Sequence, residues 1–212
     1  MVPSMELVFA SSNPHKLREI REILEPFGVR VLGLDDVGKA VPAPSEDAPT
    51  LEGNARIKAV AYARALGRTC LADDSGIEVD ALGGAPGVDS AHYAGAGNTR
   101  EERDRENRAK LVAELRNRGD VKRSARLVCT LCLAEPTGRV LFEARGTLGC
   151  TILEEERGGN GFGYDSLLYL PELDRTLAEL TAEELNARSH RGEAVRALHA
   201  WLREHSASAV RS

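Results

Sequence analysis

Aromatic side chains are scarce: Phe, Trp and Tyr make up 4% of the 212 residues, with a single Trp. So few rings leave no platform for stacking a run of bases, and any ring beside a glycine-rich turn stands out. Positive charge is not in excess either, since 28 Lys and Arg face 33 Asp and Glu for a net charge of −5. No general field can hold a polyanion, which argues against long nucleic acid as a partner, although one local site can still bind a small anion. No apolar run approaches the roughly 18 residues of a membrane-crossing helix, and the N-terminus lacks a basic region followed by an apolar run and a cleavage site. A cytoplasmic protein with no membrane partner is expected. Cysteine is sparse as well: Cys70, Cys129, Cys132 and Cys150 all sit in apolar, strand-like runs, as small core residues do in a reducing compartment. Cys129 and Cys132 spell C-x-x-C, but the run Arg126 to Leu133 reads as a strand, where positions three apart point to opposite faces. That argues against a zinc or redox site.

What is present is ordinary for a globular protein: 42% hydrophobic and 29% charged residues. The length suits one sizeable domain or two small lobes. Leu7 to Ala10 reads as a buried strand, followed by turn chemistry at Ser11 to Pro14 and a helix carrying Leu17, Ile20 and Leu24 on one face. A second strand is predicted over Val29 to Leu34, then a Pro/Asp-rich surface loop from Asp35 to Pro49. A helix is predicted over Leu51 to Leu66, and a strand over Thr69 to Ala72 that ends in an acidic turn, Asp73-Asp74-Ser75-Gly76. This β-α-β-α-β alternation implies a partly parallel sheet. Beyond the Gly/Pro-rich stretch Gly83 to Gly97, a charged helix is expected from about Thr99 to Arg118, with Leu111, Val112 and Leu115 as its apolar stripe. Strands over Ala125 to Ala134 and Arg139 to Thr147 flank the hairpin signal Glu135-Pro136-Thr137-Gly138. A further strand is predicted over Asp165 to Leu170, a capping box at Thr181-x-x-Glu184, and a last helix from Ser189 whose face is Val195, Leu198, Trp201 and Leu202. Met1 to Ser4 reads as an upstream extension and residues 207–212 as a flexible tail, leaving 1–206 as a single domain.

Four segments could carry chemistry. In Ser11-Ser12-Asn13-Pro14-His15-Lys16, Asn13 can cap the helix and Pro14 suits its first position. Backbone N–H groups, the positive end of the helix dipole and the Lys16 ammonium would then favour an anion. Taken alone, the segment reads rather as an ordinary cap with a surface lysine. The pair Asp73-Asp74 at a strand end could hold Mg²⁺ through a few oxygens and waters, with Glu46 or Glu52 completing the shell, or could be a plain acidic turn. Gly158 to Asp165 sets Phe162 and Tyr164 among glycines, where backbone can approach a flat ligand and a ring can stack on a base, or where the rings are simply core. Ser189-His190-Arg191-Gly192 offers planar donors and a titratable ring at a helix start, a pattern that alone is common on surfaces.

Taken together and in this order, these segments resemble the inosine triphosphate pyrophosphatase family over roughly Leu7 to Leu202. The words that carry the resemblance are Ser11-x-Asn13-x-x-Lys16, Gly53-Asn54-Ala55, Leu71-Ala72-Asp73-Asp74-Ser75-Gly76-Ile77, Ala81-Leu82-Gly83-Gly84-Ala85-Pro86-Gly87-Val88, Gly161-Phe162-Gly163-Tyr164-Asp165 and Ser189-His190-Arg191. The resemblance implies a two-lobed α/β fold, with a long central mixed β-sheet flanked by helices and a nucleotide cleft between lobes. It also implies a homodimer and Mg²⁺-dependent release of pyrophosphate from non-standard purine nucleoside triphosphates (ITP, dITP, XTP). On that likeness the phosphate loop falls on Ser11, Ser12, Asn13, Pro14, His15 and Lys16. The catalytic and metal carboxylate falls on Asp74, with Asp73 adjacent and Glu46 a further metal ligand. Lys58 matches a lysine at the phosphates, and Ser75 belongs to the substrate-binding set. Phe162, Gly163, Tyr164 and Asp165 match the base-pocket segment, and His190 and Arg191 the pair that contacts the purine. Two positions depart from the pattern. Glu184-Leu185-Asn186 stands where a lysine is usual, with Arg188 a candidate substitute, and His92 stands where an arginine is expected.

The chemistry asks for the same parts. Water attacking the α-phosphorus while pyrophosphate leaves needs a metal for the departing charge, cationic or amide donors on the phosphates, and a carboxylate to orient or deprotonate the water. A related reading is a septum-inhibitor-like nucleotide pyrophosphatase acting on modified pyrimidine or 7-methylguanine nucleotides. From a different class comes a non-catalytic nucleotide sensor. Two adjacent carboxylates argue against a sensor, because a pure binder of triphosphate gains little from extra negative charge without a metal.

Overall fold

The computed structural model describes residues 5–209. The expected extension Met1 to Ser4 and the last three residues of the expected tail lie outside the described residues, and the final helix continues to Ala209. Seven strands form one mixed sheet in the order β2, β1, β3, β4, β5, β6, β7. Strand β1 (Met5–Phe9) pairs in parallel with β2 (Val29–Leu32) and with β3 (Cys70–Val79). β4 (Ser124–Ala134) leads through the turn Glu135 to Gly138 into β5 (Val140–Ile152), which pairs antiparallel with β6 (Leu168–Leu170), and β6 in turn with β7 (Arg175–Thr176).

Local chemistry sets the helix starts. Asn13 caps α1 (Pro14–Leu24), and Thr50 caps α2 (Leu51–Leu66) by accepting from the Gly53 N–H at 3.1 Å. Thr99 and Glu102 form a capping box at α3 (Arg100–Asn117). Thr181 and Glu184 bond reciprocally ahead of α4 (Ala182–Arg188), at 2.9 and 3.2 Å, and α5 (His190–Ala209) follows Ser189. The sequence placed the bounds of α2 at the residues observed.

The chain divides into two compact units. The first comprises the residues up to Asp74, Cys129–Gly146 and the residues from Ser189 onward. Its strands alternate between two apolar faces. Phe9, Leu71, Cys129 and Leu131 pack with Ile20 and Leu24 of α1 and Val195 and Leu198 of α5, whereas Val8, Cys70, Ala72 and Cys132 pack with Ala55, Ala59 and Ala63 of α2. Cys129 and Cys132 therefore face opposite sides of the sheet, as the strand reading requires. All four cysteines are buried and none is in a disulfide, and burial pushes the thiols of Cys70, Cys132 and Cys150 up to about 12. The second unit, Ser75–Val128 with Thr147–Arg188, has its own core around Ile77, Val79, Leu111, Leu115, Tyr164 and Leu168.

Two expectations are corrected. Asp73-Asp74-Ser75-Gly76 is not a turn but the middle of β3, which runs unbroken to Val79. The composition is that of a turn, yet pairing in the sheet overrides it. Gly76 serves space rather than chain reversal, because a Cβ there would stand 2.2 Å from the Gly87 carbonyl oxygen. Residues Asp165–Leu167 form a 3₁₀ turn, so the strand predicted from Asp165 begins only at Leu168.

Candidate functional site

The register places the site. β1 ends at Phe9, which stands opposite Leu71, so β3 carries Asp73 and Asp74 past the carboxyl end of β1, where the chain turns into α1. The carboxyl ends of parallel strands are where open α/β sheets receive ligands. The turn is built by its own side chains: Ser11 Oγ accepts from the Asn13 N–H at 3.2 Å, and Asn13 Oδ1 accepts from the His15 N–H at 3.0 Å. Asn13 is 7% exposed, and its Nδ2 has no hydrogen-bond partner among the described residues. A buried donor left unmet costs about 1–3 kcal/mol, and at a helix N-terminus an anionic oxygen would satisfy it. Ser12 and Pro14 are exposed beside it.

Asp73 and Asp74 point to opposite faces of β3. The Asp73 carboxylate, fully buried, receives Lys16 Nζ at 2.9 Å together with Arg191 Nε at 3.4 Å and Nη2 at 3.3 Å. Arg191, itself 2% exposed, closes the cluster on Glu19 through Nη1. Burial pushes the Asp73 carboxyl up, but the charges of Lys16, Arg191 and Lys58 outweigh it and hold the group well below the usual carboxylate range. On the other face, Asp74 Oδ1 meets Lys58 Nζ at 2.9 Å, and the same ammonium meets Glu46 Oε2 at 2.6 Å. Thr130 Oγ1 donates to the Asp74 carbonyl at 3.2 Å, which fixes the backbone there. Here burial prevails over Lys58 and Lys16, and the Asp74 carboxyl is pushed up. His190 is buried with Nδ1 unpartnered among the described residues, and burial together with the neighbouring Arg191 keeps its ring neutral.

The first unit thus gathers Lys16, Glu46, Lys58, Asp73, Asp74 and Arg191 as the sequence anticipated. Glu52 does not join them: it turns to Arg145 at 2.5 Å on the surface. Ser75 and the segment Phe162 to Asp165 belong to the second unit. Within that unit Asp165 Oδ2 accepts from the Phe162 N–H at 3.0 Å, Gly163 is held between Asp104 at 2.9 Å and Arg108 at 2.8 Å, and Tyr164 donates its hydroxyl to the Ser90 carbonyl at 2.8 Å. The Arg100 guanidinium lies over the Phe162 ring, 5.4 Å from its centroid. Leu185 packs against that unit's core, Arg188 Nε donates to the Glu184 carbonyl at 3.2 Å, and His92 is exposed. Sequence reasoning missed Glu19, whose signal was an acid on the apolar stripe of α1 beside Ile20, and Thr130.

Among the described residues no three His, Cys, Asp or Glu side chains gather as a ligand cluster. Glu46 and Asp74, however, already converge on one cation, the Lys58 ammonium. Mg²⁺ is commonly bound through one or two carboxylates, with waters and substrate phosphates filling the rest, so this donor set fits it. Asp73 is turned instead to Lys16 and Arg191.

The Ham1 family model matches residues 7–201. The chain belongs to the Ham1 family. A dITP/XTP pyrophosphatase from Exiguobacterium sp. is 46% identical, the match covering 93% of this chain and 97% of the relative. One from Thermus thermophilus is 45% identical over 93% of this chain and 92% of its own length. Among solved structures, a HAM1 protein from Coxiella burnetii superimposes with a TM-score of 0.84 at 39% identity, covering 94% of this chain and 99% of the other. Family and fold both bear out the resemblance read from the ordered motifs. No helix among the described residues is long and apolar enough to cross a membrane.

Proposed function

We propose that this Ham1 family chain hydrolyses the non-standard purine nucleoside triphosphates ITP, dITP and XTP to the monophosphate and pyrophosphate, with Mg²⁺, and so keeps deaminated purines out of the nucleotide pool. The chain is an enzyme, a nucleoside triphosphate pyrophosphatase. The observation that carries this reading is the division of labour on β3: one carboxylate neutralised by two cations, its neighbour paired with Glu46 around a single cation, both beside a capped helix with an unmet buried donor. A curated name shared by relatives of similar length supports it.

In this reading Ser11 to Lys16 and Lys58 bind the phosphates through backbone N–H groups, the Asn13 amide and two ammoniums. Glu46 and Asp74 would hold the metal, which would supply counter-charge to the departing pyrophosphate. Asp74 would orient the attacking water and take its proton. Asp73 holds Lys16 and Arg191 in place. The resemblance assigns to the base Ser75 and Phe162 to Asp165 in the second unit and, separately, His190 and Arg191 in the first. A donor aimed at the 6-keto oxygen would face an amino group in adenine, and that mismatch costs about 1–3 kcal/mol. We further propose a cytoplasmic homodimer, which light scattering on the purified protein tests. The activity is tested with ITP, dITP, XTP, ATP and 7-methyl-GTP in one competition assay: Mg²⁺-dependent release of pyrophosphate from the first three is expected. Preference for the 7-methyl compound, or tight binding without turnover, would overturn the proposal.

A further inference from the structure

The Gly53-Asn54 pair takes no part in the chemistry above, yet it stands at the base of the loop that delivers Glu46. From Lys39 to Ala48 the backbone forms neither helix nor strand, so nothing regular fixes Glu46. Two contacts with α2 do so. The Ala48 N–H donates to Asn54 Oδ1 at 3.0 Å, and Glu46 itself reaches Lys58 at 2.6 Å. Asn54 and Lys58 lie four residues apart on α2, hence on one helix face. Asn54 is 3% exposed, so its amide is held by packing rather than by solvent. Gly53 allows the loop to come so close: a Cβ there would stand 2.5 Å from the Ala48 Cβ and 3.3 Å from Thr50 Oγ1.

We propose that Asn54 is a positioning residue for Glu46, clamping the loop so that the Glu46 carboxylate converges with Asp74 before a metal arrives. Gly53 makes the room for that clamp. The proposal rests on the reading of Glu46 as a metal ligand. Its physical content is preorganisation: an irregular segment tethered two residues beyond its carboxylate loses little further freedom when the ion binds. Outer partners of metal ligands, when removed, cost roughly 10–100-fold in metal affinity.

The test is a double-mutant cycle of Asn54→Ala and Glu46→Ala, reading the Mg²⁺ concentration for half-maximal ITP hydrolysis, kcat at saturating Mg²⁺, and hydrogen exchange of the Ala48 amide without metal or nucleotide. Asn54→Ala is expected to speed Ala48 exchange and raise the half-saturating Mg²⁺ about tenfold. It should largely preserve kcat at saturation and add nothing further in the Glu46→Ala background. Gly53→Ala, which displaces the loop while leaving Asn54 intact, is expected to raise half-saturation as well, and it keeps the question open to test should Asn54→Ala fail to fold. An equal effect of Asn54→Ala in both backgrounds, or unchanged Ala48 exchange, would overturn the clamp alone. An unchanged half-saturation in Glu46→Ala would overturn the metal reading of Glu46 and the clamp with it.

Discussion

Asp73 and Asp74 are adjacent on one strand, yet the two faces of β3 give them opposite acidity. On the α1 and α5 face, Asp73 is sealed from water and compensated by Lys16 and Arg191, with Glu19 balancing the guanidinium. On the α2 face, Asp74 shares one ammonium with Glu46 and keeps some exposure. Burial raises both carboxyls; at Asp73 the charges of Lys16, Arg191 and Lys58 outweigh it, whereas at Asp74 burial prevails over Lys58 and Lys16, with the Asp73 charge adding to the rise. The lesson is that neighbouring acids need not share surroundings: period-two alternation sends one into a buried ion cluster and sets the other beside Glu46 and Lys58.

The largest effect expected is on turnover. Asp74→Asn should lower kcat by about 10²–10⁴, the range of a lost general base, while leaving urea unfolding with no comparable loss. Asp73→Asn should do the reverse first: it takes from Lys16 its carboxylate and leaves Arg191 with Glu19 alone, and breaking such a buried cluster costs about 3–5 kcal/mol of unfolding free energy. Their pH dependences should slope in opposite directions. A carboxyl held low in the folded state contributes stability above its unfolded value near 3.9, and that contribution is lost as pH falls further. The gap between wild type and Asp73→Asn should therefore close below about pH 4. A carboxyl pushed up stabilises the fold only while protonated, so wild type should lose ground to Asp74→Asn as pH rises through the acid range. The smallest effect is at Glu19: Glu19→Gln removes a charged bond to Arg191 and should cost about 1.5–3 kcal/mol with kcat little changed. A Glu19→Gln loss of turnover matching that of Asp74→Asn would erase the distinction between the two faces.

Much of the scaffold was legible because its signals are local. Asn13-Pro14 and Thr181-x-x-Glu184 announce helix starts, and the apolar run of Ala125 to Ala134 announces a strand. The ordered motifs also brought the charged site residues onto the page. What escaped was set by partners distant in sequence. Asp73 to Gly76 has turn composition, and only its neighbours in the sheet and the Gly87 carbonyl above Gly76 show why it stays extended. Glu19 went unnoticed on α1 because its partner Arg191 comes to it on α5 from far along the chain. Arg191 was read as a donor to the purine on the resemblance alone, and no local signal told that its guanidinium, 2% exposed, also bonds Asp73 and Glu19. At two residues, Arg175–Thr176, β7 is too short for any periodicity to announce.

The central claim is that water adds to the α-phosphorus under the control of Asp74. It is tested most directly by hydrolysing ITP in ¹⁸O-enriched water with Mg²⁺ and locating the label by mass spectrometry. The label should appear in the nucleoside monophosphate, with unlabelled pyrophosphate as the other product, and Asp74→Asn should form both about 10²–10⁴ times more slowly. Label in pyrophosphate, or orthophosphate as the first product, would contradict it.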